Sequence, residues 1–580
     1  MGKHWIVSVL IALVLVFAGA TWHYRIDLTQ EKRFSLSEPS KQLLQNIDST
    51  IRIEVFLTGD LPADYKKLSL ATEQLLEECK AIAGTKLEYA FLHPGASLND
   101  TLKYTLYDSL RRLGVVFEQN TEGDADAKKS RMIIPSALIY YKNYRPFAVD
   151  LRSSRTVFKN YNVINDVPQE DKEATRNAAE ALLEFKFTNA IDKLTRTKIP
   201  VVAYAIGNGQ PMDNTVFDLV ESLRNEYRFG IFDLKKAYPK ANEIDLLLVV
   251  KPTIAFTDED KLKLDQFVMQ GGKIIWAIDR LHAELDSLMR SQADYTAYDR
   301  NLNVDDILFK YGIRINNDLV QDLNCAKIPV VTGYNPDGKP QMQRIPWPYY
   351  PFLAASGKGH PIAKNLDRVL PIFPSSIDTI KSPGISKTIL LASDTTSRRL
   401  STPAIVSLNS VKTEEDFYSF NKSFVPVAVL LEGKFNSLFA NRLPAALMDS
   451  VQQATGLAYA ASGNTVGKQI VLSDADLLTN PVSPTNGPGE MGTIPFENYR
   501  FANREFFLNC IEYMVSNSKI LENRSKDVTL RLLDKTKVAE QKGLWQFINI
   551  ALPVALILGL GAVLQWRRKK KWGAAAVNGR

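Results

Sequence analysis

The sequence predicts an α/β protein: a small α/β domain, then a larger doubly wound sheet, carried between an N-terminal and a C-terminal transmembrane helix. Three observations predict it. Continuous apolar strands alternate with amphipathic helices from residue 198 onward, the pattern of a parallel sheet covered on both faces. Leu544–Trp566 runs 23 residues without Asp, Glu, Lys or Arg, which is ~35 Å of helix against a hydrocarbon core of ~30 Å. Trp5–Trp22 is a second uncharged run, 18 residues long.

The two ends are read first, because they decide which compartment holds the rest. Arg567, Arg568, Lys569, Lys570 and Lys571 follow the second run at once, a basic stop that favours the cytoplasmic face. Trp545 and Trp566 stand where interfacial aromatics belong, and a bilayer helix tolerates Pro553 better than a soluble one does. Ala18-Gly19-Ala20 resembles a cleavage site, but the apolar run before it is long for a signal, so residues 1–24 read as an uncleaved anchor. Both termini are then cytoplasmic and residues 23–543 form one extracytoplasmic body. The charges agree. The chain has 71 Lys+Arg and 64 Asp+Glu; Lys3 and the six basic residues after Trp566 account for the whole excess, leaving 64 of each sign in the body. The basic balance therefore reports contact with a lipid bilayer, and no nucleic-acid motif accompanies it.

The body divides by pattern. In residues 35–165, Ser37-Glu38-Pro39 opens a short helix, and Ile51–Leu57 alternates as a strand. A helix after Leu61-Pro62 shows Tyr65, Leu68, Thr72, Leu75, Cys79 and Ile82 on one face, and Leu87–Leu92 is the next strand. Thr101–Leu113 is a helix stopped by Gly114. Val115–Glu118, Met132–Tyr141 and Arg145–Asp150 read as strands. This is a thioredoxin-like order of elements. Ala174–Thr197 is a linking helix of good formers. In residues 198–520, Ile199–Ile206, Ile244–Val250 and Lys273–Ile278 are buried strands. The helices between them start at Asp213 and at Thr257, which forms a capping box with Asp260. Leu302–Tyr311 is a helix stopped by Gly312. Further on, Asn335-Pro336-Asp337-Gly338 is a hairpin turn, and Arg344–Phe352 is an aromatic, proline-rich loop. Thr388–Ala392, Val425–Leu431, Ser437–Ala440 and Gln469–Leu472 are strand candidates. Asn480–Tyr499 is a long loop, Arg504–Val515 a helix, and residues 521–543 a charged helical stalk leading to the span at 544–566 and the basic tail at 567–580.

Signals for catalysis are weak. The three cysteines form no CxxC pair; Cys79 and Cys510 sit on apolar helix faces, and Cys325 falls near a turn. The five histidines show no HxxxH or HExxH, so no metal set is formed. Gly463–Gln469 is one residue short of a phosphate loop, lacks the hydroxyl after Lys468 and runs into a strand rather than out of one. No GxSxG or GxCxG elbow follows a strand, and no cofactor motif is present. What remains is positional. Open α/β sheets bind ligands beyond the carboxyl ends of their strands. Here those places hold Asn208 between two glycines, Asp279, and Asp474 with Asp476. The plain alternative is that they are turn and cap residues. Trp347, Tyr349 and Tyr350 lie on the proline-stiffened loop, which could close over such an edge; rigid aromatics suit a partner-protein contact as well as a small ligand.

Several strings, in order, carry a resemblance: Arg25–Glu38 (RIDLTQEKRFSLSE), Leu57–Pro62 (LTGDLP), Gln270–Asp279 (QGGKIIWAID), Lys310–Asp322 (KYGIRINNDLVQD), Arg344–Phe352, and Asp527–Pro553 into the last span. Together they resemble the gliding-motility-associated ABC-transporter auxiliary proteins, GldG type, along essentially the whole chain. The resemblance implies a bacterial inner-membrane protein with its bulk periplasmic. It also implies a cytoplasmic ABC ATPase and a separate multi-span permease as partners, and a role in gliding that is labelled substrate-binding. The larger domain would then be class I glutamine-amidotransferase-like, without that family's nucleophile. Two readings follow: a non-catalytic, membrane-anchored subunit of an ABC complex, or an extracytoplasmic hydrolase on the amidotransferase-like fold. The missing elbow favours the first.

Overall fold

Leu246–Val250 (LLLVV) and Ile274–Ala277 (IIWA) are buried at every position, which only a strand covered on both faces allows. The structure is a computed structural model. It describes residues 35–577 apart from 97, 123–128, 154, 158–169, 285–293, 337, 357–358, 409–413, 486, 496–498, 517–518 and 526–534. The expected N-terminal span lies outside the described residues. The chain is mixed α/β with several sheets, and it divides into two units, Met1–Asp527 and Val528–Arg580.

Within the first unit, a four-stranded sheet is built from β1 (Ile51–Val55), β2 (Leu87–Phe91), β3 (Ser136–Tyr141) and β4 (Phe147–Asp150), in the order β2-β1-β3-β4. β1 is parallel to β2 and antiparallel to β3, and β3 is antiparallel to β4. The helices α1 (Glu38–Gln45), α2 (Ala63–Ala83), α3 (Asp100–Arg112) and α4 (Lys172–Thr195) accompany it. Ser37 caps α1 by accepting from the Ser40 N–H. α2 buries Tyr65, Leu68, Thr72, Leu76 and Cys79. The sequence suggests one strand over Met132–Tyr141; the chain breaks it at Ile134-Pro135, where proline cannot donate to a ladder. Lys129–Ile133 instead pairs with Glu118–Glu122 as a separate hairpin. α4 gives Leu183 and Phe187 to the core of this sheet and Phe185 to the core of the next.

The second sheet has eight strands: β5 (Val201–Ile206), β6 (Arg228–Asp233), β7 (Leu246–Val250), β8 (Ile274–Ala277), β9 (Ala354–Ala355), β10 (Ile385–Ala392), β11 (Pro426–Gly433) and β12 (Gly467–Leu472). Their order is β9-β10-β11-β12-β8-β7-β5-β6. From β12 to β6 all neighbours are parallel, and from β12 to β9 all are antiparallel. α5 (Phe217–Glu226) places Leu219 and Leu223 on one face. α6 (Asp258–Met269) and α7 (Asp305–Tyr311) place Leu264, Phe267, Ile307 and Tyr311 on the other. Thr257 and Asp260 form the expected capping box. Gly312 ends α7 with φ 96°, a left-handed conformation that glycine adopts without strain. α8 (Glu414–Tyr418) and α9 (Ala445–Thr455) follow; α10 (Asn503–Val515) adds Phe506, Phe507, Cys510 and Ile511 to the α5 face.

Between β8 and β12 the chain makes small ladders from distant partners. Tyr295–Asp299 pairs with Ala404–Val406, Ile313–Ile315 with Ile377–Thr379, and Asp318–Asp322 with Ser397–Ser401. Arg344–Phe352 is not a loop. It belongs to the strand Pro340–Pro351, hairpinned against Cys325–Tyr334. A two-stranded ladder leaves each strand one unpaired edge, so proline's missing N–H is tolerated there. Cys325 is buried at the start of that hairpin. Ser437–Ala440 is a turn; the Asp265 carboxylate fixes it by accepting from the Ser437 hydroxyl (2.6 Å) and the Leu438 N–H (2.9 Å).

Of the expected stalk, residues 521–543, the first few belong to the body and 526–534 lie outside the described residues. Lys519–Ser525 is a 3₁₀ turn with Ile520, Leu521 and Arg524 buried in the body. In the second unit, α11 (Lys535–Val577) is one helix of 43 residues that carries Pro553 inside it. Its segment Glu540–Lys570 has a mean hydropathy of 2.4 and is the one helix among the described residues long and apolar enough to cross a membrane.

Candidate functional site

The parallel strands open on one edge. Ala277 of β8 lies opposite Leu472 of β12 and Val250 of β7, so the residues just past each end are brought together. These are Lys251 after β7, Ile278-Asp279 after β8, and Ser473-Asp474 after β12. The Lys251 N–H donates to Ala277 O (2.9 Å) and the Ile278 N–H to Leu472 O (3.0 Å), carrying the ladder one step further. Lys251 then turns with φ 49°, a left-handed conformation that a side-chain-bearing residue rarely adopts.

Asp474 caps the 3₁₀ turn Ala475–Leu478 by accepting from the Asp476 N–H (2.8 Å). Its other oxygen accepts from the Ile372 N–H. Asp279 accepts from the Ala475 N–H (2.6 Å), and Asp476 accepts from the Thr479 hydroxyl (2.8 Å). One oxygen from each carboxylate falls within 4.8 Å of the others. Lys251 closes the group: its Nζ donates to Asp476 and lies 3.5 Å from Asp279.

Burial pushes the Asp474 carboxyl well above the usual range, and the charges of Asp476 and Asp279 push it further. Burial also raises Asp279, with Lys251 opposing and Asp476 adding to the shift. Lys251 is pulled down by burial, but Asp476 and Asp279 outweigh this and hold it firmly protonated. The arrangement is an ammonium shared among three crowded carboxyl groups, the deepest of which holds its proton readily. The ammonium occupies the place a cation would need, so the residues present do not make a ready metal site.

The other residues singled out from the sequence lie elsewhere. Asn208 donates through Nδ2 to Asp260 (3.2 Å), the N3 residue of the α6 capping box, and its N–H donates to Gln210 Oε1 (2.8 Å). It ties β5 to α6. Trp347, Tyr349 and Tyr350 are buried, not surface contacts. Trp347 and Tyr349 pack with ring centroids 4.8 Å apart, and the Tyr349 hydroxyl donates to Ile405 O (3.0 Å). Their link to the edge is indirect: Phe373 N–H donates to Tyr349 O (3.1 Å), and its neighbour Ile372 holds Asp474. Sequence reasoning missed Lys251. The available signal was a lysine set directly after LLLVV, where strand ends converge.

Among solved structures, the mmIFT52 N-terminal domain matches over 55% of this chain and 97% of its own, at 12% identity and a TM-score of 0.30. The exo-beta-1,4-mannosidase Op5Man5 from Opitutaceae bacterium strain TAV5 matches over 52% of this chain and 35% of its own, at 10% identity and a TM-score of 0.21. At these scores neither bears on function. No curated protein matches the chain. Residues 30–140 match a domain of unknown function. Residues 199–510, which contain the whole eight-stranded sheet and the strand-end group, match the auxiliary family described as an ABC-type uncharacterized transport system. That match spans more than half of the chain, and the chain belongs to this ABC-transport auxiliary family.

Proposed function

We propose that the chain is a non-catalytic, membrane-anchored auxiliary subunit of an ABC transport complex, of the gliding-motility type that its sequence strings resemble. Its bulk is periplasmic, and its partners are a multi-span permease and a cytoplasmic ATPase. The observation that carries this reading is the family match over 199–510. Helix α11 supports the anchor: Leu556, Ile557 and Leu558 are 64%, 72% and 69% exposed, a surface suited to lipid rather than water. Asn549, Gly559 and Gly561 on the same helix are small and polar groups fit for packing against other membrane helices. The small domain supports its thioredoxin-like reading by the βαβαββα order with sheet order β2-β1-β3-β4. The doubly wound sheet from β12 to β6 supports the amidotransferase-like reading of 198–520. The body supplies no complete phosphate loop, so the energy source belongs to a partner. At the strand-end edge, Lys251 and Asp476 keep part of their surface open, and this edge is the one offered to a partner or ligand.

Purification of the tagged chain from native membranes tests the proposal. A permease and an ATPase should co-purify, and the isolated chain should hydrolyse no ATP. Robust ATP hydrolysis by the chain alone, or a native preparation with neither partner, would sink it.

A further inference from the structure

β4, α4 and α10 wall a cavity of about 560 Å³, within the ~300–1,000 Å³ usual for small-molecule sites. Most charges on its walls are matched inside the protein. Arg152 pairs with Asp150 (2.8 Å), Lys193 with Glu226 (2.5 Å) and Arg500 with Glu505 (2.6 Å).

Two cations on these walls are not matched in this way. The Lys186 ammonium donates to the backbone carbonyls of Asp150 (2.7 Å) and Arg152, leaving one of its three N–H groups over. Arg524 is 3% exposed. It donates to the carbonyls of Lys364 (3.0 Å) and Asn365 (3.3 Å) and lies over the Phe185 ring, 5.3 Å from the centroid. Neither makes an ion pair with a carboxylate among the described residues. Buried charge without a counter-charge is costly. Burial accordingly pushes the Lys186 amine down to about 8 and the Arg524 guanidinium down to about 10. Across the same cavity, Glu505 has the opposite deficit: its Oε1 takes Arg500, while its buried Oε2 accepts no hydrogen bond. Spare donors on two cations that line one cavity without a counter-charge outline a missing anion.

We propose that this cavity binds a small hydrophilic anion, with a carboxylate or phosphate group seated on Lys186 and Arg524. Its size and charge suit a metabolite-sized ligand, not a polymer. The site does not depend on the chain's work beside a transporter.

Calorimetric titration of the full chain in detergent tests it, with inorganic phosphate and citrate as probes, since both carry oxyanions. At least one should bind with millimolar affinity or better, and Lys186→Gln should weaken it about tenfold or more with the circular dichroism unchanged. The pH profile supplies a test that needs no variant. The charges facing Lys186 are Asp150 and Arg152 beside β4, Glu505 on α10 and Arg524. A bound anion prefers the protonated amine, so citrate affinity in the wild type should fall as pH rises through about 8. Absence of binding by both probes up to roughly ten millimolar, an affinity indifferent to pH across that range, or a folded Lys186→Gln that binds as well as wild type would overturn the proposal.

Discussion

Lys251 shows how one residue decides the character of a site. Without it, three carboxyl groups within 4.8 Å would face one another at the end of a buried sheet. With it, two of them share a counter-charge and the third keeps its proton. Lys251→Met should therefore destabilise the protein by roughly 3 kcal/mol near neutral pH, the usual result of breaking a largely buried pair. The loss should shrink in acid. Burial raises the folded-state carboxyls of Asp474 and Asp279 above the ordinary aspartate range. The folded chain thus binds protons that the unfolded chain releases, and these groups stabilise as pH falls from neutral toward ~4. Chemical denaturation of wild type and Lys251→Met at neutral and mildly acidic pH checks this. An equal loss at both would show that the ammonium does not neutralise the group. The three aspartates were legible from sequence because each follows an apolar run at a strand end. The lysine's role was not, since one lysine beside a proline looks like any surface turn until neighbouring strands bring the carboxylates to it.

At the scale of elements, legibility follows how local the cause is. β5, β7 and β8 could be read because continuous apolar runs need no partner to announce them, and α6 because its cap is written within four residues. Between β8 and β12 the pairings join residues far apart in sequence, such as Val320 with Arg399 and Thr296 with Ile405, and no local pattern encodes such a match. Prolines misdirected the reading of Arg344–Phe352, whose aromatic side chains build a core rather than close over an edge. The α6 cap offers a clean measurement. Thr257 accepts from the Asp260 N–H (3.2 Å), and Asp260 accepts in return from the Thr257 N–H (2.9 Å). Thr257→Ala removes half of this exchange and should lower stability by about 1 kcal/mol. Asp260→Ala should lower it further, because the same carboxylate also takes Lys235 (2.5 Å) and Asn208 (3.2 Å). Thermal melts of the two variants rank them; the reverse order would mean that the Lys235 and Asn208 bonds contribute nothing net.

At the scale of the whole molecule, charge and hydropathy divide the chain more sharply than any fold boundary does. The surplus of positive charge sits wholly in residues 1–22 and 544–580, and the body between them holds 64 residues of each sign. The segment Glu540–Lys570 has none of its apolar window buried in protein, so lipid is the environment that would satisfy it. The basic run from Arg567 to Lys571 would resist translocation, which sets the expected direction of the span. Lys570 lies over the Trp566 ring, 5.1 Å from the centroid, an aromatic-cation pair suited to the headgroup layer. A phosphatase that works only outside the cytoplasm should therefore be active when fused after residue 530. It should be silent when fused at Arg580, where a fluorescent protein that matures only in the cytoplasm should light up. Replacing Arg567 through Lys571 with Ser and Gln should make the second pair of signals ambiguous without altering the first, because the N-terminal run alone would still carry the body across. A phosphatase active at Arg580 and silent after residue 530 would place the body in the cytoplasm and overturn the periplasmic reading.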